Sequence, residues 1–233
     1  MTAIVLAAGK GRRLRAGISK PLVKVAGRPL ILYSLRVFEQ CPEIRDIILV
    51  VNRRNRRKIC SAVQRAGIQK IAGIVLGGRR RQDSVAGGLA ALTEKSGIVL
   101  IHDSARPFIT AALVARLVRA ARSTGAAIAG VPVKSTIKMV TRHPSPVTRS
   151  VMVAGTIDRK KLWEAQTPQA FRVELIRAAY QRFGDADVTD DAALVEKCRY
   201  PVALVAGSYA NLKITTREDL ECAQAIALKG KTK

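Results

Sequence analysis

Residue types that carry common enzyme chemistry are scarce in this chain of 233 residues. There are only two histidines, His102 and His143, and no G-x-S-x-G segment accompanies either, which argues against a serine or cysteine hydrolase. No C-x-x-C pair is present, which argues against a zinc site. We interpret the four scattered cysteines as reduced residues that pack like small hydrophobic side chains; they are Cys41, Cys60, Cys198 and Cys222.

Long apolar runs are also missing. No stretch approaches the roughly 18 consecutive apolar residues that a membrane span requires. The first apolar run has no basic leader before it, and glycine and arginine follow it almost at once, unlike a secretory signal. We therefore expect a cytoplasmic protein without a membrane partner.

Acidic residues are strongly outnumbered by basic ones. The chain has 41 Lys and Arg residues against 17 Asp and Glu residues, a formal net charge of +24. Such a charge attracts nucleic acids, nucleotides and phosphorylated metabolites. A nucleic-acid-binding protein is therefore one hypothesis, but aromatic residues amount to only 4% and no stacking platform or nucleic-acid motif is present. We expect no specific nucleic-acid partner.

The hydrophobic pattern predicts a layered α/β fold. Aliphatic residues dominate, as is typical of buried parallel strands. Predicted strands over 2–6, 46–51, 71–76, 97–102 and 126–133 alternate with predicted helices over 29–40, 55–66, 83–92 and 110–124, the last N-capped by Thr110. This alternation indicates a Rossmann-like, mainly parallel sheet flanked by helices. The length suits a single domain over 1–233.

The pattern changes after residue 133. Residues 134–158 are rich in Lys, Thr, Ser, Arg and Pro, and we predict that they form a protruding β-hairpin, here called the arm. Helices are predicted over 173–183 and 190–198, the second N-capped by Thr189. Short strands are predicted over 202–205 and 212–214, before a closing helix with a capping box of Thr215 and Glu218.

Small residues and cations follow the first strand in the segment 6–14, LAAGKGRRL. Small residues let the backbone approach phosphates with its N–H groups turned inward. A Rossmann fingerprint is excluded because Leu14 occupies the place of its third small residue. A Walker A loop is excluded because Ala225 occupies the place of the first glycine before the tail 230–232. Together with Lys20 and Pro21, the segment resembles the signature loop of sugar-nucleotide pyrophosphorylases and related nucleotidyltransferases.

Later segments narrow this resemblance. They are IHDSARP at 101–107, DRKKLW at 158–163 followed by QTPQ at 166–169, TDDA at 189–192 and NLKIT at 211–215, together with GG at 77–78 and DSV at 83–85. With the first loop, they resemble the 2-C-methyl-D-erythritol 4-phosphate cytidylyltransferase family of isoprenoid biosynthesis, over residues 4–220. Ribitol-phosphate cytidylyltransferases share much of the pattern, so ribitol 5-phosphate is an alternative acceptor.

The resemblance implies a nucleotidyltransferase fold and the transfer of CMP from CTP to a sugar-alcohol phosphate, with release of pyrophosphate. Arg13 and Lys20 match positions that stabilise the triphosphate and the charge that develops at the α-phosphorus. Backbone contacts to CTP are implied for Ala7, Ala8, Gly9, Gly11 and Ala105, with Gly78 and Ser84 at the base.

The resemblance also implies how the acceptor is held. Arg159 and Lys213 would position it against CTP, and Asp103 matches an acidic residue near a Mg²⁺ ion, the expected cofactor. Because the family exchanges its arms in a homodimer, Thr136 and Arg159 would serve the partner's site. The residues implied to contact the acceptor are Asp103, Arg106, Thr136, Arg159, Thr167, Thr189 and Lys213.

This chemistry requires no general base, because a phosphate monoester is largely dianionic at neutral pH. Positioning and fixed cations therefore carry the reaction, and we interpret His102 as a structural residue. One departure from the family is visible. Arg79, Arg80 and Arg81 follow Gly78, where we expect at least one acidic residue. If the side chain at position 79 contacts the nucleotide, base selectivity is affected.

Overall fold

A computed structural model describes residues 1–9, 19–93, 95–141 and 151–229 of the chain. Its strands, in chain order, are β1 (Thr2–Ala7), β2 (Lys24–Val25), β3 (Arg28–Pro29), β4 (Asp46–Val51), β5 (Ile71–Leu76), β6 (Ile98–Asp103), β7 (Ala126–Pro132), β8 (Ile137–Val140), β9 (Val153–Ile157), β10 (Trp163–Arg172) and β11 (Ala203–Ala206). Its helices are α1 (Leu30–Gln40), α2 (Arg56–Arg65), α3 (Arg81–Ala90), α4 (Ala111–Thr124), α5 (Val173–Phe183), α6 (Ala192–Lys197) and α7 (Arg217–Lys229).

Seven strands form the main sheet in the order β11-β7-β10-β6-β1-β4-β5. All neighbours are parallel except β10, which is antiparallel to both β6 and β7. The predicted mainly parallel sheet is therefore confirmed. The sequence analysis missed β10 because its residues, WEAQTPQAFR, show no apolar run. Its buried polar side chains form hydrogen bonds instead, as Gln166 does with Ser208 O at 2.9 Å.

Helices cover both faces of this sheet because its strand residues alternate between two cores. In β1, Ala3, Val5 and Ala7 enter one core, while Ile4 enters the other. The first core also contains residues of α1, α2 and α4, and the second contains residues of α3, α5 and α6. Full burial of one aliphatic side chain contributes about 1.5–3 kcal/mol, so the two faces hold the helices in place.

The strand order creates a switch point between β1 and β6. From β1 the sheet grows through β4 to β5 on one side, and the chain then returns to place β6 on the other side of β1. In open α/β sheets, ligands bind outside the carboxyl ends of the strands at such a point. The ends of β1 at Ala7 and of β6 at Asp103 therefore mark the place for a site.

The arm is a hairpin, as predicted, in its described residues. Strands β8 and β9 pair antiparallel in a separate two-stranded sheet; residues 142–150 lie outside the described part. Apolar side chains on these strands face solvent, with Met139 53% exposed and Val153 61% exposed.

Three local predictions were wrong. Residues 212–214 form no strand; Ile214 is instead buried in a small core with α7, and its N–H donates to Ala105 O at 2.9 Å. Thr189 is exposed and does not cap α6, because Asp190 Oδ1 accepts the Ala193 N–H at 3.1 Å. The capping box of α7 lies one residue later than predicted, between Thr216 and Asp219.

Among the described residues, no helix combines the length and the apolar character needed to cross a bilayer.

Candidate active site

A cavity of about 380 Å³ opens at the carboxyl edge of the sheet, between the ends of β1 and β6. We call it the pocket. Its lining includes many of the predicted site residues, namely Ala7, Ala8, Gly9, Lys20, Gly78, Ser84, Asp103, Ala105 and Lys213. It also includes Leu6, Pro21, Arg79, Arg80, Arg81, Ser104 and Thr215. Residues distant in sequence thus meet where the switch point predicts a ligand.

One wall of the pocket is made by closely approaching main chain. At Gly77, just beyond β5, an added Cβ would collide with Ala8 Cβ and lie 2.6 Å from Ser84 Oγ. A glycine is therefore required for β5 to approach the segment that follows β1. The neighbouring Gly78 donates its N–H to Ser84 Oγ at 3.2 Å, which fixes this part of the wall to α3.

Asp103, which also lines the pocket, is the centre of a charged network. Its Oδ2 lies 2.6 Å from Lys213 Nζ, and its Oδ1 accepts from Arg81 Nε at 3.2 Å. Arg81 also donates through Nη2 to Asp191 Oδ2 at 2.8 Å. The side chain of Asp191 is fully buried, and its Oδ1 accepts from the Tyr180 hydroxyl at 2.6 Å. Two acidic and two basic side chains therefore compensate one another at the edge of the pocket.

The network holds its charges firmly. Burial by itself raises the pKa of Asp103, but the attraction of Arg81 and Lys213 outweighs it and holds that pKa well below the usual range. Burial lowers the pKa of Arg81, and the carboxylates of Asp191 and Asp103 more than reverse this effect. Asp103 is thus a carboxylate, and Arg81 a cation, at neutral pH.

Arg81 was missed as a site residue by the sequence analysis. The run 79–81 stands where the family resemblance leads us to expect an acidic residue. Periodicity does not indicate which of the three adjacent arginines points inward. Arg81 is the first residue of α3, and its guanidinium joins Asp103 to Asp191. The sequence signal for Arg81 is the acidic segment 189–192, because a buried carboxylate in that segment requires a basic partner.

His102 is a structural residue, as predicted. It is fully buried, and burial lowers the pKa of its ring to about 3, so the ring is neutral. Its Nε2 donates to Arg106 O at 3.1 Å because a carbonyl oxygen can only accept. Its Nδ1 therefore accepts from the Thr167 hydroxyl at 3.1 Å, and Thr167 Oγ1 accepts the Asp103 N–H at 3.0 Å. Predicted as an acceptor contact, Thr167 here supports the backbone of Asp103.

Several predicted acceptor contacts lie outside the pocket lining. Arg106 donates to Asn211 O at 2.8 Å and to Ala165 O at 3.1 Å, so it ties the segments around the pocket together. Thr136 and Arg159 are exposed on and beside the arm, where Arg159 donates to Lys134 O. Thr189 is exposed before α6. Gly11 and Arg13 lie outside the described residues. The ligand roles of all these residues stay predictions.

The pocket lining contains one carboxylate, that of Asp103. No group of three or more His, Cys, Asp or Glu side chains suited to a metal ion occurs in the described parts of the chain. Magnesium is usually held by one or two carboxylates together with substrate phosphates. The donor set therefore fits a magnesium ion that comes with a nucleotide, and it does not form a metal cage of its own.

A cationic pocket at the switch point of a mainly parallel sheet, walled by close main chain, is the arrangement expected of an α/β enzyme that binds a phosphorylated ligand. The model of the 2-C-methyl-D-erythritol 4-phosphate cytidylyltransferase (IspD) family matches residues 1–229. The chain belongs to this family. The assignment confirms the predicted fold and the prediction of a cytidylyltransferase that transfers a cytidylyl group from CTP to 2-C-methyl-D-erythritol 4-phosphate in isoprenoid biosynthesis.

Relatives match along nearly the whole chain. The 2-C-methyl-D-erythritol 4-phosphate cytidylyltransferase of Shouchella clausii is 45% identical over 232 residues, covering 97% of this chain and 96% of the relative. That of Geobacillus kaustophilus is 46% identical over 226 residues, covering 96% and 95%. The solved structure of 4-diphosphocytidyl-2C-methyl-D-erythritol synthase from Anaerococcus prevotii is 32% identical, with a TM-score of 0.83 and coverage of 97% and 95%.

Proposed function

We propose that the pocket is where CMP is transferred from CTP to 2-C-methyl-D-erythritol 4-phosphate. The observation that carries this proposal is the convergence of Lys20, Lys213 and the Asp103–Arg81 pair on one cavity with a main-chain wall. Two anionic substrates have to meet there. Fixed cations reduce their repulsion, and the main chain can come close to a nucleotide.

In the proposed reaction, a phosphate oxygen of the acceptor attacks the α-phosphorus of CTP. A new P–O bond forms while the bond to the bridging oxygen of the β-phosphate breaks, and pyrophosphate leaves with that electron pair. Lys20, which lines the pocket, would neutralise charge that develops on the phosphates. Lys213, paired with Asp103, would hold the acceptor phosphate.

The proposed reaction needs no proton transfer from the attacking group, because the monoester is already largely dianionic at neutral pH. The surroundings of His102 agree with this. Both of its ring nitrogens are engaged, with Arg106 O and with the Thr167 hydroxyl, and the ring is fully buried. The chain thus assists the reaction by positioning and by charge.

Magnesium remains part of the proposal. Asp103 would hold it together with the triphosphate oxygens, and the ion would supply positive charge against the phosphates. Both oxygens of Asp103 already interact with cations, Arg81 and Lys213. We therefore expect magnesium to bind only together with the nucleotide, and the protein alone to have negligible affinity for the ion.

The proposed activity is tested by measuring pyrophosphate release with each of the four common nucleoside triphosphates and each of two acceptors. We expect release only with CTP and 2-C-methyl-D-erythritol 4-phosphate together. Equal or faster turnover with ribitol 5-phosphate would identify it, the alternative predicted from the sequence, as the acceptor. Turnover with a purine triphosphate would contradict the expected selectivity for CTP.

We also propose that the arm joins two copies of the chain. A lone two-stranded hairpin is marginally stable in water, and this one exposes Met139, Val140, Val151, Met152 and Val153. Contiguous exposed apolar side chains mark interaction surfaces. In such a dimer, Thr136 and Arg159 would reach the partner's pocket.

Mixing two inactive variants tests this arrangement. If pockets are shared, Lys20→Ala and Arg159→Ala subunits together regain part of the activity, because each mixed dimer contains one intact site. Mixing each variant with itself is the control. Absence of recovery in confirmed mixed dimers would contradict the shared site.

A cytoplasmic location also remains a proposal. The unpaired cysteines support it, since disulfides are rare in reducing compartments. Fractionation of cells that produce the protein tests it.

A further inference from the structure

Asn55, just before α2, contacts Ala7 and Ser19, two residues that are 12 positions apart in the sequence. It is only 2% exposed. Its Nδ2 donates to Ala7 O at 3.0 Å and to Ser19 Oγ at 2.8 Å. Its Oδ1 accepts the N–H of Asn52 at 3.0 Å. The side-chain amide therefore uses both of its donor hydrogens and its acceptor oxygen within the protein.

Asn52 completes the arrangement. Its Oδ1 accepts the Asn55 N–H at 2.8 Å, and its Nδ2 donates to Ala8 O at 3.1 Å. The orientation of both amides is determined by their partners. A main-chain oxygen can only accept and a main-chain N–H can only donate. Rotating either amide by half a turn would therefore place acceptor against acceptor and donor against donor.

Helix capping explains only the side-chain oxygen of Asn55, which exchanges reciprocal bonds with Asn52 in the manner of a capping box. Asparagine at an N-cap position usually accepts an N–H from the first turn of its own helix. Asn55 occupies the N-cap position of α2, yet its side chain makes no such bond. It turns instead toward Ala7 and Ser19, which are separated from α2 in the sequence.

The two groups that Asn55 joins carry different parts of the pocket. Ala7 ends β1, and with Ala8 it forms part of the main-chain wall. Ser19 begins the 3-10 turn Lys20–Leu22 through a bond from Leu22 N to Ser19 O at 2.8 Å. The position of Ser19 therefore sets the start of the backbone from which Lys20 enters the pocket.

We propose that Asn55 is a positioning residue for the nucleotide: it fixes the main-chain wall at Ala7 and the cation at Lys20 relative to each other. The inference rests on the proposed function of the pocket. A triphosphate must meet both groups at once, and affinity and rate depend on such groups being held before the ligand arrives. One nitrogen that bonds to both sides supplies that constraint.

Two single variants and their combination test the proposal. Ser19→Ala removes one hydroxyl at a half-buried position and leaves Asn55 bonded to Ala7. We expect it to raise the KM for CTP by about threefold to tenfold, the size of one hydrogen bond. Asn55→Ala should raise it by at least about tenfold, because both bonds that connect Ala7 to Ser19 are lost, together with the bond from the Asn52 N–H. The KM for the acceptor should change by less than about twofold in both.

The double variant provides the decisive comparison. If Asn55 acts through Ser19, adding Ser19→Ala to Asn55→Ala should increase the KM for CTP very little further. Asn52→Ala is the matched control; it removes the bond to Ala8 O and the bond from the Asn55 N–H but leaves both donor bonds of Asn55, so its effect on CTP should be smaller. Independent effects of Ser19 and Asn55, or a larger effect of Asn52→Ala, would overturn the proposal.

A structural role without positioning gives a different result. It would lower the thermal midpoint of Asn55→Ala and leave the KM for CTP unchanged at temperatures where the variant is folded, which also overturns the proposal. Calorimetric CTP binding separates this inference from the proposed function. If the unaltered protein binds CTP but releases no pyrophosphate, the proposed function fails. The ratio of CTP dissociation constants between the proteins then still decides the role of Asn55.

Discussion

The carboxyl edge of the main sheet and the arm differ in what they bury. At the edge, Asp103, Arg81 and Asp191 are drawn into the protein, and each charge meets an opposite one. On the arm, apolar side chains such as Met139 and Val153 remain in solvent. Burying a charge is costly unless it is paired, and exposing apolar area is costly unless a partner covers it. The charges at the carboxyl edge are therefore compensated within one protomer, whereas the arm has an apolar surface that a partner can cover.

The largest expected effect comes from breaking the charged network. Arg81→Met should lower the free energy of unfolding by about 3–5 kcal/mol, because it leaves the fully buried Asp191 without its cation. Chemical denaturation measures this loss. The exposed Arg79 provides the control, since Arg79→Met should change stability by less than about 0.5 kcal/mol. Equal stability of the two variants would contradict the importance of the network.

The next largest effect concerns catalysis at the same edge. Lys20→Ala should lower kcat by about 10²–10³, the size expected when one stabiliser of the transition state is lost. Steady-state pyrophosphate release measures it. Lys24, exposed on the same short segment and absent from the pocket lining, is the matched control. A near-normal kcat for Lys20→Ala would reject the role of this lysine.

A third prediction concerns pH. Because burial lowers the pKa of His102 from about 6.5 to about 3, the unfolded chain binds its proton first as the pH falls. The contribution of His102 to stability is therefore complete above pH 6.5 and is lost progressively toward pH 3. The expected slope is up to about 1.4 kcal/mol per pH unit. In His102→Gln, the free energy of unfolding measured between about pH 6 and 4.5 should fall less steeply with decreasing pH. The difference in slope should approach about 1.4 kcal/mol per pH unit, which corresponds to the uptake of one proton.

The smallest effect on the protomer is expected on the arm. Val153→Ser replaces a side chain that is 61% exposed, so it should change the unfolding free energy of a single protomer by less than about 0.5 kcal/mol. The same change should weaken dimers measurably in sedimentation at decreasing protein concentration. If Val153→Ser instead destabilises the protomer as much as Arg81→Met does, the contrast between the two regions is wrong.

The sequence by itself determined the class of the fold and the members of the pocket that lie at strand ends. Alternating apolar runs indicated the parallel strands, and β4, β5 and α5 have the predicted bounds. Small residues after β1 indicated Gly9, and the family resemblance of the segment 101–107 indicated Asp103; both residues line the pocket. These features are local, because backbone preference and periodic burial act between residues that are near in sequence.

Only the tertiary structure decided which polar side chains meet. In strand β10, the buried side chains of Gln166 and Gln169 form hydrogen bonds with residues that are distant in the sequence. No apolar run in the sequence predicts this strand. The contact of Arg81 with Asp191 spans 110 residues, and that of Asn55 with Ser19 spans 36. Such contacts depend on direction and distance in three dimensions, which composition and spacing along the chain do not contain.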